Sequence, residues 1–347
     1  MTTYEIYMQR ALELAQQGQL HVAPNPMVGC VIVHKNTIIG EGYHTAYGNP
    51  HAEVNAINNV KNKELLSESA LYVTLEPCTH HGKTPPCADL LMSYNIPKIY
   101  IAALDSNPKV SGKGMQKLKD AGAYVAVGIL EDEAIELNKR FFCFHQKKRP
   151  YIILKWAQTL DGYMDKNPPN CQNRENYWIT NAALRFKVHQ WRAEESAVFV
   201  GANTILHDNP QLNVRYYSGK NPVRMTLINK EIEQSFHFFD DTQSTVVFNF
   251  EREEKTRNTH FCKLNKEKNP EETILQHLYE MDIQSVLIEG GRHTLQRFLD
   301  FNLWDEARVL VGNQCFGSGL SAPVIPCEPV KIDNMNIDKI LWYKNRE

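Results

Sequence analysis

The 347-residue chain lacks any run approaching the ~18 apolar residues of a membrane-crossing helix, so no helical membrane span is expected. It lacks an excess of either charge. Its 38 Lys and Arg against 40 Asp and Glu give a formal net charge of −2, which argues against a nucleic-acid stripe or membrane patch at whole-chain scale. A secretory leader is missing too: "MTTYEIYMQRALELAQQGQL" reads as an amphipathic helix (Tyr4, Tyr7, Met8, Ala11, Leu12, Ala15), without a continuous apolar core or cleavage site. There is no disulfide framework. Cysteines at 30, 78, 87, 143, 171, 262, 315 and 327 are scattered, which fits reduced, buried or metal-binding thiols in a cytoplasmic protein. Internal repeats and low-complexity tracts are absent. In the second half no Gly-x-Gly-x-x-Gly follows a strand, which disfavours a Rossmann cofactor site.

What is present is alternation. The length implies two domains, and strands alternating with helices imply α/β sheets covered on both faces. "MVGCVIV" and "IIGEGYH" form a predicted hairpin, followed by the helix "HAEVNAINNV" and the strand "ALYVTLE". "CADLLMSYN", "KIYIAAL", "MQKLKDAG" and "AYVAVGIL" continue the pattern. A basic cluster and Pro150 place the boundary near 146–150, giving domains 1–147 and 148–347. In the second domain helices are expected at "NAALRFKVHQWRAE", "ETILQHLYEMD" and "TLQRFLDF", and strands at "YIILKWA", "AVFVGA", "VRMTLIN", "STVVFNF", "SVLIE" and "EARVLVG". The charged stretch "FEREEKTRNTHFCKLNKEKNPEE" reads as a surface excursion.

The chemistry concentrates in "HAE" at 51–53 and "PCTHHGKTPPC" at 77–87. A His, a Glu two residues on, and a later Pro-Cys opening a helix after a buried strand make a zinc-deaminase signature. Zinc accepts imidazole nitrogen and thiolate, and a catalytic site leaves a fourth position for water. Glu53, near the ion but not bound to it, suits a proton carrier between water and a leaving amine. Residues two apart on a helix point about 200° apart. His51 therefore belongs at the irregular helix start after Pro50, with Glu53 turned inward from the first turn. Cys78 is expected to cap a helix whose dipole favours its thiolate. A closed structural site on His51, Cys78, His81 and Cys87 is the competing reading. The slot after Pro-Cys-x-x, three residues beyond Cys78 and the usual third ligand of such deaminases, is filled by His81.

In the second domain, "SVLIEGGRHTLQRF" runs a buried strand into Gly290-Gly291 and a helix, a place where backbone can approach a phosphate. Arg185, His189 and Arg192 share one helix face, either as a solvated stripe or as a binder of phosphate. "FVGANTILHDNPQLNVR" is a long polar loop after a core strand.

"PNPMVGCVIV", "GEGYH", "PHAEVNAI", "VTLEPCTHHGKTPPC" and "DSNP" closely resemble the first half of the bifunctional riboflavin-biosynthesis family called RibD or RibG. The resemblance implies a cytidine-deaminase-like α/β/α fold, Zn2+ on His51, Cys78 and Cys87, Glu53 as the catalytic proton shuttle, and Asn25, His44, His80 and Lys83 around the substrate. "LKWAQTLDG", "YWIT", "WRAE", "GANTILHDNPQLNVR" and "IEGG" resemble the family's reductase half more loosely. This implies a dihydrofolate-reductase-like α/β fold using NADPH. Ala157, Trp178, Thr204, Asp208, Gly291, Arg292, His293 and Thr294 would face the cofactor, and Lys155, Asn176, Arg192, Leu212, Arg215 and Glu289 the substrate. Asn176 stands where the family often has Ser, Asn229-Lys230 replaces Asp-Ser, and "KNPPNCQNRE" replaces a Gly/Ser-rich approach. The implied reactions are hydrolytic deamination of a diaminopyrimidinone ribosylamine phosphate, then NADPH-dependent reduction of its ribosyl group to ribityl. The partner is this small molecule, not nucleic acid or membrane, and a homo-oligomer (dimer or tetramer) is expected. The alternative is a nucleobase or tRNA deaminase with a non-catalytic second domain.

Overall fold

The structure is a computed structural model; it describes residues 2–79, 85–107, 111–166, 177–229, 232–233 and 235–345. The chain divides into two compact units, Met1–Lys148 and Arg149–Glu347.

Unit 1 runs α1 (Thr3–Gln16), β1 (Gly29–His34), β2 (Thr37–Tyr43), α2 (Ala52–Asn59), β3 (Ala70–Leu75), α3 (Cys87–Ser93), β4 (Lys98–Ala103), α4 (Lys113–Asp120), β5 (Tyr124–Val127), α5 (Glu131–Leu137) and α6 (Lys139–Lys147). A capping box between Thr2 and Glu5 starts α1. Lys35 and Asn36, both at positive φ (45° and 62°), make the two-residue turn of the β1–β2 hairpin. The sheet order is β2-β1-β3-β4-β5; β1 is antiparallel to both neighbours, and β3, β4 and β5 are parallel. Alternate residues of the central strands enter two separate cores. Cys30, Ile32, Val73, Ile99 and Ile101 pack with Ile57, Leu91 and Leu118 from α2–α4, whereas Val31, Val33, Tyr72 and Tyr100 pack with Met8, Leu12, Ala134 and Phe141 from α1, α5 and α6. Burial on both faces explains why these strands read as continuous apolar runs. A Cβ on Gly29 would lie 1.9 Å from Ala11 O, so glycine is what lets α1 cross β1 so closely.

Unit 2 runs β6 (Tyr151–Thr159), β7 (Tyr163–Asp165), α7 (Ala182–Glu194), β8 (Ala197–Gly201), α8 (Ala202–Asp208), β9 (Val223–Leu227), β10 (Thr245–Asn249), β11 (Glu254–Thr256), β12 (Thr259–Lys263), α9 (Pro270–Glu280), β13 (Ser285–Ile288), α10 (Arg292–Asp300), β14 (Glu306–Gly312), β15 (Leu320–Ser321), β16 (Lys331–Met335) and β17 (Asp338–Lys344). Ten strands form one sheet, β11-β12-β10-β9-β8-β13-β6-β14-β17-β16, parallel from β12 to β14 and antiparallel at both margins. β7 pairs with β15 separately.

Two expectations change here. The charged stretch after residue 250 is not simply an excursion: β12 pairs in parallel with β10 and buries Phe261 and Cys262, while β11 forms the sheet margin. Its few inward residues are outnumbered in sequence by the charges around them. The polar loop after β8 contains α8, which buries Ile205. Small elements α5, α6 and β15–β17 were not read from the sequence.

Candidate active sites

In unit 1 three elements converge. His51 is the residue before α2, extended at φ −70°, ψ 166°, and its carbonyl accepts from Asn55 N at 3.1 Å. Glu53 follows in the first turn and is 3% exposed. Cys78 lies in the loop after β3, and Cys87 is the first residue of α3. Cys78 therefore does not open a helix, contrary to expectation. Pro85 and Pro86 hold the chain extended (Pro86 φ −56°, ψ 138°) and delay the helix to Cys87. The Cys87 amide, at the start of α3, donates to Cys78 Sγ at 3.4 Å.

The donor atoms of His51, Cys78 and Cys87 all lie within 4.8 Å of one another. His51 Nδ1 is 3.6 Å from Cys78 Sγ and 3.3 Å from Cys87 Sγ. A tetrahedral zinc with ordinary Zn–N and Zn–S bonds needs an N···S edge of roughly 3.6 Å, so the donor set fits the ion in chemistry and in size. The thiol of Cys87, with further help from His51, draws Cys78 down to about 4 against the opposing effect of burial. Cys87 is pushed up by giving that hydrogen bond and by burial. Burial, then the Cys78 charge, pushes the Glu53 carboxyl up to about 6.

Beside this cluster, His44 is buried and meets the edge of His51 at 5.4 Å. Burial lowers its pKa, leaving a neutral ring. Pro50 O can only accept, so His44 Nδ1 donates to it (3.2 Å) and Nε2 accepts from Asn25 Nδ2 (3.1 Å). His80, His81 and Lys83 lie outside the described residues.

In unit 2, Lys155 from β6, Arg192 from α7 and Glu289 from the end of β13 meet in a buried triad. Glu289 accepts from Arg192 Nε and Nη2 at 2.6 and 2.7 Å and from Lys155 Nζ at 3.4 Å. Burial disfavours its charge, but the two cations overcome this and hold it at about 2. Desolvation lowers Lys155. Glu289 also borders a cleft of about 1080 Å³ lined by Thr204, Asp208, Gly291, Arg292, His293 and Thr294, all six expected at the cofactor. Gly290, at φ +118° in a cis peptide with Gly291, carries the chain from β13 to α10. Apolar walls from Phe199, Leu227, Phe250 and Phe298 were not anticipated; Phe199 lies within β8, Leu227 and Phe250 at strand ends and Phe298 on α10, where periodicity signals only core.

Other expected residues are placed elsewhere. Trp178 is 68% exposed, its ring under the Arg185 guanidinium at 4.7 Å, and neither it nor Ala157 lines the cleft. Leu212 is 3% exposed in a separate apolar cluster. Arg215 donates to Gln211 and Asn213 side chains, and its amide to His189 Nδ1. Arg185, His189 and Arg192 thus do not act as one basic stripe: an aromatic ring, a loop amide and Glu289 engage them separately. Asn176 and Lys230 lie outside the described residues. Among the described residues one more metal-capable group occurs, Glu253, His260 and Cys262. There His260 Nε2 faces Glu253 at 2.7 Å and Nδ1 faces Cys262 at 3.4 Å, so the ring bridges two partners instead of sharing one point with them.

A zinc-deaminase-like unit followed by a second α/β unit with its own cleft is the class that fold and sites define. Residues 1–103 match the cytidine and deoxycytidylate deaminase zinc-binding region, and residues 150–344 match the RibD C-terminal domain. The riboflavin biosynthesis protein RibD of Aquifex aeolicus is 37% identical over 97% of both chains, and that of Escherichia coli 33% identical over 90% of this chain and 89% of its own. A solved diaminohydroxyphosphoribosylaminopyrimidine deaminase/5-amino-6-(5-phosphoribosylamino)uracil reductase of Thermotoga maritima superposes with TM-score 0.88 at 38% identity, covering 99% of this chain and 98% of that one. The chain belongs to the RibD family.

Proposed function

We propose that this chain performs two successive steps of riboflavin biosynthesis, with deamination in residues 1–147 and reduction in residues 148–347. The convergence of His51, Cys78 and Cys87 beside buried Glu53 carries the reading. These three side chains would hold Zn2+, and the ion would supply Lewis acidity that makes water a nucleophile near neutral pH. Glu53, with its carboxyl near 6, exchanges protons close to neutrality and delivers them to the departing ammonia. Asn25 and His44, linked to each other through the Asn25 Nδ2–His44 Nε2 hydrogen bond, would hold the pyrimidine beside it; the resemblance assigns His80 and Lys83 to the same substrate.

In unit 2 Thr204, Asp208 and the Gly291–Thr294 turn would hold NADPH; the cleft's volume and the start of α10 fit a long, phosphate-bearing molecule. NADPH supplies the hydride that turns ribosyl into ribityl. Lys155, Arg192 and Glu289 orient the sugar phosphate, with Asn176 and Arg215 assigned the same role by the resemblance. The protein is taken to act as a cytoplasmic homo-oligomer, dimer or tetramer; no described helix is long and apolar enough to cross a membrane.

One coupled assay tests both steps. The diaminopyrimidinone ribosylamine phosphate yields ammonia first and then consumes NADPH, in equal amounts. Ammonia without NADPH consumption would limit the activity to deamination. Salt-sensitive tRNA binding with no turnover of the free nucleotide would favour the nucleobase-deaminase alternative. The ligand set has its own test: Cys87→Ser is expected to lose the bound zinc and His81→Ala to keep it, as read by metal analysis. The opposite result reassigns the third ligand.

A further inference from the structure

Glu76 ends β3's run into Pro77–Cys78 and is 4% exposed. Its own amide donates to Ala103 O at 3.0 Å, tying it to the end of β4. Its carboxylate accepts three main-chain N–H groups: Asp105 at 3.2 Å, Gly112 at 2.9 Å and Met115 at 3.0 Å. Two of these donors flank the start of α4, and the third lies in the "DSNP" segment. Close packing supports the same contact, because a Cβ on Gly114 would sit 2.1 Å from Pro77 O and 3.1 Å from Glu76 Cγ. The two sequence motifs "LEPC" and "DSNP" are therefore joined through one side chain. A carboxylate taking several amide hydrogen bonds makes a stiff link, since charge-assisted bonds are shorter and stronger than neutral ones.

We propose that Glu76 is a positioning residue for the metal centre. Its carboxylate fastens the loop bearing Cys78 to the end of β4 and the start of α4, so the thiolate stands at its donor position before an ion arrives. Preorganisation of this kind raises affinity by removing the need to order the loop on binding. Glu76 is not one of the three residues whose donor atoms converge on the metal position, so the effect passes through the backbone of Pro77 and Cys78. Glu76→Gln keeps the shape but replaces one acceptor oxygen with an NH2 group facing amide donors.

The inference rests on the assignment of zinc to His51, Cys78 and Cys87. It is tested on the full-length protein by competition for zinc with a chromophoric chelator, and by thermal midpoints with and without zinc. Glu76→Gln is expected to bind zinc about tenfold more weakly and to show a smaller zinc-induced rise in midpoint. A merely structural role would lower both midpoints equally and leave the affinity unchanged, which overturns the proposal. If Glu76→Gln does not fold, Glu76→Asp retains the charge with a shorter reach. Its affinity is expected to fall below that of the unaltered protein, and equality overturns the proposal. Failure of the unaltered chain to bind zinc overturns the ligand assignment and this inference together; normal zinc binding with an unaffected variant overturns only this one.

Discussion

The Glu53→Gln protein is expected to keep its zinc and release ammonia roughly 10²–10⁴-fold more slowly than the unaltered chain. Glutamine fills the same buried space, and Glu53 is not among the three clustered donors, so metal content should not change. What the amide cannot do is take a proton from water and return it to the leaving amine. Metal analysis and an ammonia assay on the same preparation decide the matter. Ammonia release at the normal rate with zinc in place would remove Glu53 from the chemistry. Loss of both would make it a structural support of the metal loop instead.

The second large effect is expected at Glu289. Replacing it with Gln leaves Lys155 and Arg192 facing one another with no anion between them, in a site where all three side chains are at most 13% exposed. Breaking a buried ionic group in this way destabilises by about 3–5 kcal/mol, which for a unit of this size lowers its melting midpoint on the order of 10 °C. NADPH consumption should vanish while ammonia release persists, separating the two halves. The pH dependence has a definite sign. Burial opposes ionisation of Glu289, but Arg192 and Lys155 depress its pKa from 4.5 to about 2. Its contribution is therefore present at neutral pH and is lost as pH falls from about 4.5 towards 2. Acid unfolding of Glu289→Gln should lack that component. An unchanged midpoint and acid profile would mean that the triad adds no net stability.

Much of this was legible in the sequence, for reasons that differ by residue. His51 and Glu53 could be placed because a proline followed by a helical pattern leaves few geometries for a His two residues before a Glu. The central strands could be read because burial on both faces leaves apolar runs such as "MVGCVIV". Cys78 was assigned to a helix that starts only at Cys87, because local signals did not show how far two prolines would carry the chain. The meeting of Lys155, Arg192 and Glu289 depends on three strands and helices far apart in sequence, and spacing alone cannot reveal it; the resemblance supplied those residues. β12 was hidden for the reverse reason, as its two buried apolar residues, Phe261 and Cys262, sit within a charged neighbourhood.

The order in which strands find their partners differs between the two units. In unit 1 every strand pairs with partners from the first 127 residues, so its sheet can close while the ribosome is still making the second half. In unit 2 the first strand, β6, lies inside the sheet, between β13 and β14. Tyr151 waits for Ser285 and Ile153 for Glu306, and β14 in turn waits for β17 near the end of the chain. Loop closure over such separations slows folding and leaves apolar strand edges open during synthesis. The second half is thus expected to leave apolar strand edges unpaired for longer during synthesis than the first.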